Sequence, residues 1–372
     1  MRFPEFNGEW ENVALSEIAA RVTRKNKDNA SKLPLTISAQ YGLVDQISFF
    51  NKVVASADMS NYYLLRQGEF AYNKSYSSDY PWGAIKRLDR YPQGALSSLY
   101  ICFAVNDKVD SDFAVHYFES SKWHREVSNI AGKGARNHGL LNIAVGDFFD
   151  TKHRLPSSKE EQKKIAALLN LITERIATQI KIIEDLKKLK SAIRAKVFKQ
   201  LESSCECWSE IGNMLQYEQP SKYLVASTEY SDSYATPVLT ANKAFILGYT
   251  DEEFGIYSKG ECVIFDDFTM DVKFVNFPFK VKSSAIKILT SNSGNDLYFV
   301  YEYLQNLGLV SEEHKRHYIS EIEPMIVACP TFEEQQNISN LLRSFDSKIE
   351  YANRELTLYN KQKQYLLSQM FI

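Results

Sequence analysis

The chain carries the same helical segment twice, and no other feature restricts its fold as much. One copy runs from Glu160-Glu161-Gln162 to Val197-Phe198, the other from Glu333-Glu334-Gln335 to Met370-Phe371. A single offset of 173 residues aligns both ends without a gap, which is how a duplicated unit appears in sequence.

Within each copy apolar residues recur at alternating steps of three and four. The first copy places Ile165, Leu168, Ile172, Ile176, Ile183, Leu186, Ile193 and Val197 on one seam, with Gln179 and the Leu189/Lys190 pair at intermediate steps. The second places Ile338, Leu341, Phe345, Ile349, Leu356, Tyr359, Leu366 and Met370 at the matching steps, with Ala352 opposite Gln179. Neither segment contains Gly or Pro, so both are expected to be coiled-coil helices. At 1.5 Å per residue, roughly 40 residues make a rod about 60 Å long. Neither rod can bury its seam alone, so the two should pair. Pro156-Ser157-Ser158 and Pro330-Thr331-Phe332 precede them. A Ser or Thr thus stands before acidic residues that face the positive end of the helix dipole.

The segment before each helix repeats more faintly. Trp10 with Leu15-Ser16-Glu17-Ile18-Ala19 is echoed by Trp208 with Ser209-Glu210-Ile211-Gly212, and Pro34–Ala39 by Pro237–Asn242. Arg66-Gln67-Gly68-Glu69-Phe70-Ala71-Tyr72-Asn73 is echoed by Ser258-Lys259-Gly260-Glu261-Cys262-Val263-Ile264-Phe265. Short apolar runs between Gly, Asn, Asp and Ser read as strands and turns. The expected fold is α+β: domain 1–155, helix 156–201, domain 202–328, helix 329–372.

No stretch of 18 apolar residues occurs and the opening Met1-Arg2-Phe3-Pro4-Glu5-Phe6 has no apolar signal core, so neither a membrane span nor export is expected, and the cytoplasm is the expected location. Five cysteines, with Cys205-x-Cys207 lacking a second pair, support neither a disulfide framework nor a zinc site. Charge is unevenly spread: 151–201 is net +8 and 202–328 net −10, within a total of −2. The basic helix is either a solvated face or a phosphate track.

Catalytic signatures are missing from the sequence. It has no Gly-x-x-x-x-Gly-Lys-Ser/Thr phosphate loop, no Gly-x-Gly-x-x-Gly turn, no His-Glu-x-x-His helix and no Gly-x-Ser-x-Gly elbow. His124-Arg125-Glu126 has the His-x-Glu spacing of zinc deaminases, but no Pro-Cys-x-x-Cys follows. A non-enzymatic chain is expected, with no cofactor or metal of its own.

A doubled Pro, Glu-Glu-Gln and Ile helix behind each of two variable domains, each headed by Trp and Glu-Ile, resembles the specificity subunit of type I restriction-modification enzymes. The resemblance spans the chain and includes Gln67–Tyr76 and Leu239–Thr250, similar to stretches of that family's target-recognition domains. It implies two recognition domains separated by an antiparallel pair of helices in a pseudo-twofold repeat, each domain reading half of a split, asymmetric double-stranded DNA target. It also implies partners: two methyltransferase (modification) subunits and the restriction/translocase subunits, which would hold S-adenosylmethionine, ATP and Mg. A rigid helical pair would act as a ruler, holding half-sites about one DNA turn, 34–36 Å, apart. The competing class is a coiled-coil adaptor that assembles protein partners without reading DNA.

Base edges are read by Arg or Lys at guanine and Asn or Gln at adenine. In the first domain Lys74, Ser75 and Tyr76, then Lys133, Arg136, Asn137 and His138, have that chemistry, the latter run flanked by glycines that allow close backbone approach. In the second, Thr240, Asn242 and Lys243, then Asp266, Asp267, Thr269 and Lys273, occupy comparable places. Each is either a base reader or an ordinary turn residue. Tyr41, Tyr76, Tyr80 and Trp82 either support an extruded adenine or pack the domain's core.

Overall fold

The computed structural model describes residues 2–39, 41–77, 80–131, 139–240, 245–311 and 315–371. Two helices dominate it, Lys159–Ser204 and Phe332–Met370. Their starts follow from the capping chemistry. Glu161 N–H donates to Ser158 Oγ at 3.3 Å. At the second helix Glu334 N–H donates to Thr331 Oγ1 at 3.4 Å, while Thr331 N–H donates back to Glu334 Oε2 at 3.0 Å, a reciprocal capping box.

The chain divides into two compact units, Met1–Ile180 with Glu355–Ile372, and Lys181–Arg354. Each unit holds one globular part and a stretch of both long helices.

In the first unit the strand Trp10–Ala14 pairs antiparallel with Lys152–Pro156, the strand that leads into the first long helix. A four-stranded antiparallel sheet follows the order Ala19–Arg21, Ile101–Val105, Phe70–Asn73, Ala84–Arg87. The hairpin Leu35–Ser38 with Gly42–Asp45 and the pair Tyr63–Arg66 with Gln93–Leu96 complete the β structure. The second unit repeats this plan. Trp208–Glu210 pairs with Ile326–Ala328. Its four-stranded sheet runs Leu215–Glu218, Ile286–Ser291, Cys262–Asp266, Val272–Val275. Strands Thr236–Leu239, Ile246–Thr250 and Lys280–Val281 form the remaining sheet. The echoed segments occupy matching places. Gly68 and Gly260, both at positive φ, turn the chain into Phe70–Asn73 and Cys262–Asp266, a conformation that suits glycine.

Each core is closed by the start of one long helix and the end of the other. In the first unit Ile165, Leu169 and Ile172 pack with Leu367, Met370 and Phe371. In the second, Leu342 packs with Phe198. Phe371 sets its edge on Phe113 and Tyr117, with ring centres 5.4 and 5.7 Å apart. Its repeat partner Phe198 lies 5.5 and 4.6 Å from Phe299 and Tyr303. Within each unit residue numbers rise along one helix as they fall along the other. Arg175 stacks on Tyr359 and Gln179 donates to Glu355 in the first unit, and Lys190 pairs with Asp346 in the second. The pairing is antiparallel.

Two details of the expected seam need correction. Leu341 is 44% exposed whereas Leu342 is fully buried, because the second helix turns the neighbouring residue toward its domain at that turn. Leu189 is exposed, and Lys190 points inward to the buried Glu302 at 2.6 Å. Lys363, its repeat partner, reaches Glu119 at 2.9 Å. A lysine at this step serves an ion pair to the domain in both copies. Among the described residues no helix is long and apolar enough to cross a membrane.

Candidate nucleic-acid interface

The four-stranded sheets position matching loops. In the first unit residues 74–83 connect Phe70–Asn73 to Ala84–Arg87, and they contain Lys74, Ser75 and Tyr76. Their backbone pairs with the segment that precedes the helix Val145–Asp150: Tyr76 N–H donates to Gly139 O at 3.0 Å, and Leu141 N–H to Lys74 O at 2.9 Å. Residues 74–76 and 139–141, distant in sequence, are thus brought together. Ser75 and Tyr76 are exposed. Lys74 is half-buried, with Nζ 3.5 Å from Ile143 O. Lys133, Arg136, Asn137 and His138 lie outside the described residues. The loop closes at Gly83, where a Cβ would stand 2.1 Å from Asn73 O; no other residue fits that return.

Of the four aromatic candidates, Tyr80 and Trp82 pack against the domain's cores, and the Trp82 carbonyl accepts from Tyr72 Oη at 2.7 Å. Tyr41 and Tyr76 present their rings outward, 58% and 48% exposed.

In the second unit the corresponding connection is the short turn 267–271. Asp266 shapes it by accepting from Phe268 N–H at 2.9 Å and Thr269 Oγ1 at 2.6 Å. Thr269 itself is exposed, and Lys273 pairs with Asp271 at 2.9 Å. Asp266, Asp267 and Thr240 depart from the expectation, since all three are buried. The Asp267 carboxylate accepts from His317 and Tyr318 N–H at 3.1 and 2.9 Å and lies 3.6 Å from the buried Lys287. A carboxylate so occupied cannot face a base edge; it anchors the chain at 317–318. Thr240 N–H donates to Phe245 O at 2.8 Å beside the hairpin tip. Asn242 and Lys243 lie outside the described residues.

What the sequence reading missed is how the domains are locked to their helices. Gln162 Oε1 accepts from Asp110 N–H at 2.7 Å, and its Nε2 donates to Pro156 O at 2.9 Å. Gln335 makes the same two bonds, from Asp296 N–H at 2.9 Å and to Pro330 O at 3.0 Å. Asp110 and Asp296 in turn cap the domain helices Ser111–Glu119 and Leu297–Leu307. The repeated Glu-Glu-Gln was the available signal. The first copy adds a clamp of its own: Glu161 takes two bonds of 2.7 Å from Arg2 and one of 3.2 Å from Trp10 Nε1.

The buried titratable groups are structural. Burial alone would raise the Glu119 carboxyl, but its hydrogen bond with His116 and the ammonium groups of Lys86 and Lys363 hold it well below the usual range. Burial pushes His153 down to about 4 and the thiols of Cys102 and Cys262 up to about 12, so those sulfurs are protonated and poor nucleophiles. Among the described residues no group of three or more His, Cys, Asp or Glu is placed to hold a metal ion.

An α/β domain followed by a long helix, built twice along the chain, is the fold shared with solved chains of type I restriction-modification systems. The solved S subunit of the type I system from M. genitalium superimposes with a TM-score of 0.60 at 16% identity, over 100% of this chain and 99% of that one. A chain from a solved structure of a type I restriction-modification system gives 0.57 at 14% identity, over 99% and 98%. In sequence, the chain is similar to the specificity subunit of the Escherichia coli type I restriction enzymes EcoR124I/EcoR124II, with 42% identity over 176 residues. That match spans 44% of this chain and 44% of the relative, less than half the length of either. No family model matches the chain.

Proposed function

We propose that the chain is the non-catalytic DNA-reading subunit of a type I restriction-modification enzyme, working in the cytoplasm. Each globular domain reads one half of a split double-stranded target, and the helical pair ties the spacing of the halves to its own length. The observation that carries this reading is the doubled scaffold with unlike loops. The sheet order and the Gln162 and Gln335 locks repeat, while the connections on them differ, residues 74–83 in one unit and 267–271 in the other. A duplicated frame bearing different loops suits an asymmetric sequence. Direct readout needs polar side chains at exposed turns, and Ser75, Tyr76 and Thr269 meet that need.

Methylation and cleavage belong to partners in this reading: two methyltransferase subunits, and restriction subunits that translocate DNA. S-adenosylmethionine, ATP and Mg are assigned to those partners. The test is coexpression with the cognate methyltransferase, mapping of methylated adenines in the host DNA, and titration of duplex binding against salt. The expected result is one split motif whose binding weakens steeply as salt rises. An assembly whose formation and stability are indifferent to DNA would instead identify an adaptor.

A further inference from the structure

The two units bring together the same pair of connections. In the first, residues 74–76 are bonded to 139–141. In the second, the turn that replaces 74–83 is bonded through Asp267 to 317–318, the end of the segment between the helix Leu297–Leu307 and the π-turn Tyr318–Ile322. The first unit's segment carries Lys133, Arg136, Asn137 and His138; the second unit's carries Lys315 and Arg316, preceded by Glu312 and Glu313.

The domain 202–328 has nine Lys and Arg against nineteen Asp and Glu, so where its cations lie decides whether a polyanion can approach. Lys280 and Lys287 are buried, Lys259 and Lys273 are paired with Glu218 and Asp271, Lys222 and Lys282 are exposed on other segments, Lys282 with its ammonium 5.9 Å over the Tyr230 ring, and Lys243 lies outside the described residues. Arg316 is exposed and has no ion pair among the described residues. Lys315 beside it lies 3.1 Å from Glu321, half its side chain open to solvent. An exposed pair of this kind has little net strength and can be exchanged for a phosphate. The following residue, His317, is buried and fixed at three points: its N–H on Asp267, Nδ1 at 2.9 Å from Glu321 Oε2 and Nε2 at 2.9 Å from Ser311 Oγ. Arg316 is therefore presented from a rigid foot, which reduces the ordering cost of binding.

We infer that Lys315 and Arg316 are the phosphate clamp of the second recognition domain, gripping the backbone of duplex DNA beside the turn 267–271. This rests on the DNA-reading role proposed above. Phosphate contacts fix register and orientation without choosing bases, so the clamp sets affinity and leaves the motif unchanged.

The probe is a duplex that contains the motif mapped in cells, bound to the complex of this chain with its methyltransferase. Removing one cation from the phosphate backbone should reduce the slope of log affinity against log salt by about 0.9. The pair Lys315→Ala and Arg316→Ala should reduce it by about 1.8, with the methylated motif unchanged. Arg316→Glu should abolish binding at moderate salt without moving the unfolding midpoint, and Arg316→Lys should keep the slope. Unchanged slope and affinity in the double alanine variant, or tight binding by Arg316→Glu, would overturn the clamp. So would a motif altered at one base, which would mark Arg316 as a base reader. If the unaltered complex showed no salt-dependent preference for the mapped duplex, the DNA-reading role would fall and the clamp with it.

Discussion

Gln162 and Gln335 use both ends of one amide to tie three things: the end of the domain's last strand, the cap of the domain's helix and the first turn of the long helix. Both are buried, so truncation leaves a backbone N–H and a carbonyl unpaired, at about 1–3 kcal/mol for each group. Gln335→Ala should lower stability by about 2–6 kcal/mol in denaturant unfolding on this basis, and a loss under about 0.5 kcal/mol would show that the lock does not hold the domain. His153 predicts a pH effect in the first unit. It is neutral in the fold, bonded to Tyr117 Oη and Thr151 Oγ1, with its pKa lowered to about 4 by burial. The unfolded chain takes up this proton first as pH falls through about 6.5. Stability should therefore be lost between pH 6.5 and 4, on the order of 3 kcal/mol, with no further loss from this group below 4. Urea unfolding across that range checks it, and His153→Gln should flatten the profile.

At the scale of elements, the long helices are less a simple seam than an interlock with the domains. The periodicity was legible because coiled-coil helices repeat their apolar residues. Which of two adjacent leucines faces inward was not, since Leu341 and Leu342 differ by one helical step and a domain on that side draws the second inward. Leu342→Ala should cost about 2–5 kcal/mol and Leu341→Ala less than about 0.5 kcal/mol. Equal effects in thermal unfolding would restore the simple seam. Lys190 and Lys363 show the same principle with charge: a lysine that looked like a gap in an apolar pattern pairs with an acid of the domain helix or its end, Glu302 or Glu119.

For the whole molecule the consequence is modularity. Each unit has its own sheet, its own core and its own lock; on the DNA-reading role proposed above, replacing residues 1–150 with the matching domain of a type I specificity subunit should change one half of the methylated motif and leave the other. Methylome sequencing reads both halves at once. A change in both, or in neither, would contradict independent readers.

The sequence alone determined the duplication, the two long helices and their starts, and the α+β domains before them. Those features are local and periodic: capping residues, heptad spacing and turn glycines act through neighbours a few residues away. The echoed strands Phe70–Asn73 and Cys262–Asp266 were legible for the same reason. Only the tertiary structure decided that Asp267 is an anchor inside the domain, that Tyr80 and Trp82 belong to its packing, and that residues 74–76 meet 139–141. Each of those outcomes depends on which surface another part of the chain covers. A polar residue in a turn has the same local chemistry whether it faces DNA or caps a buried backbone N–H, and only burial separates the two.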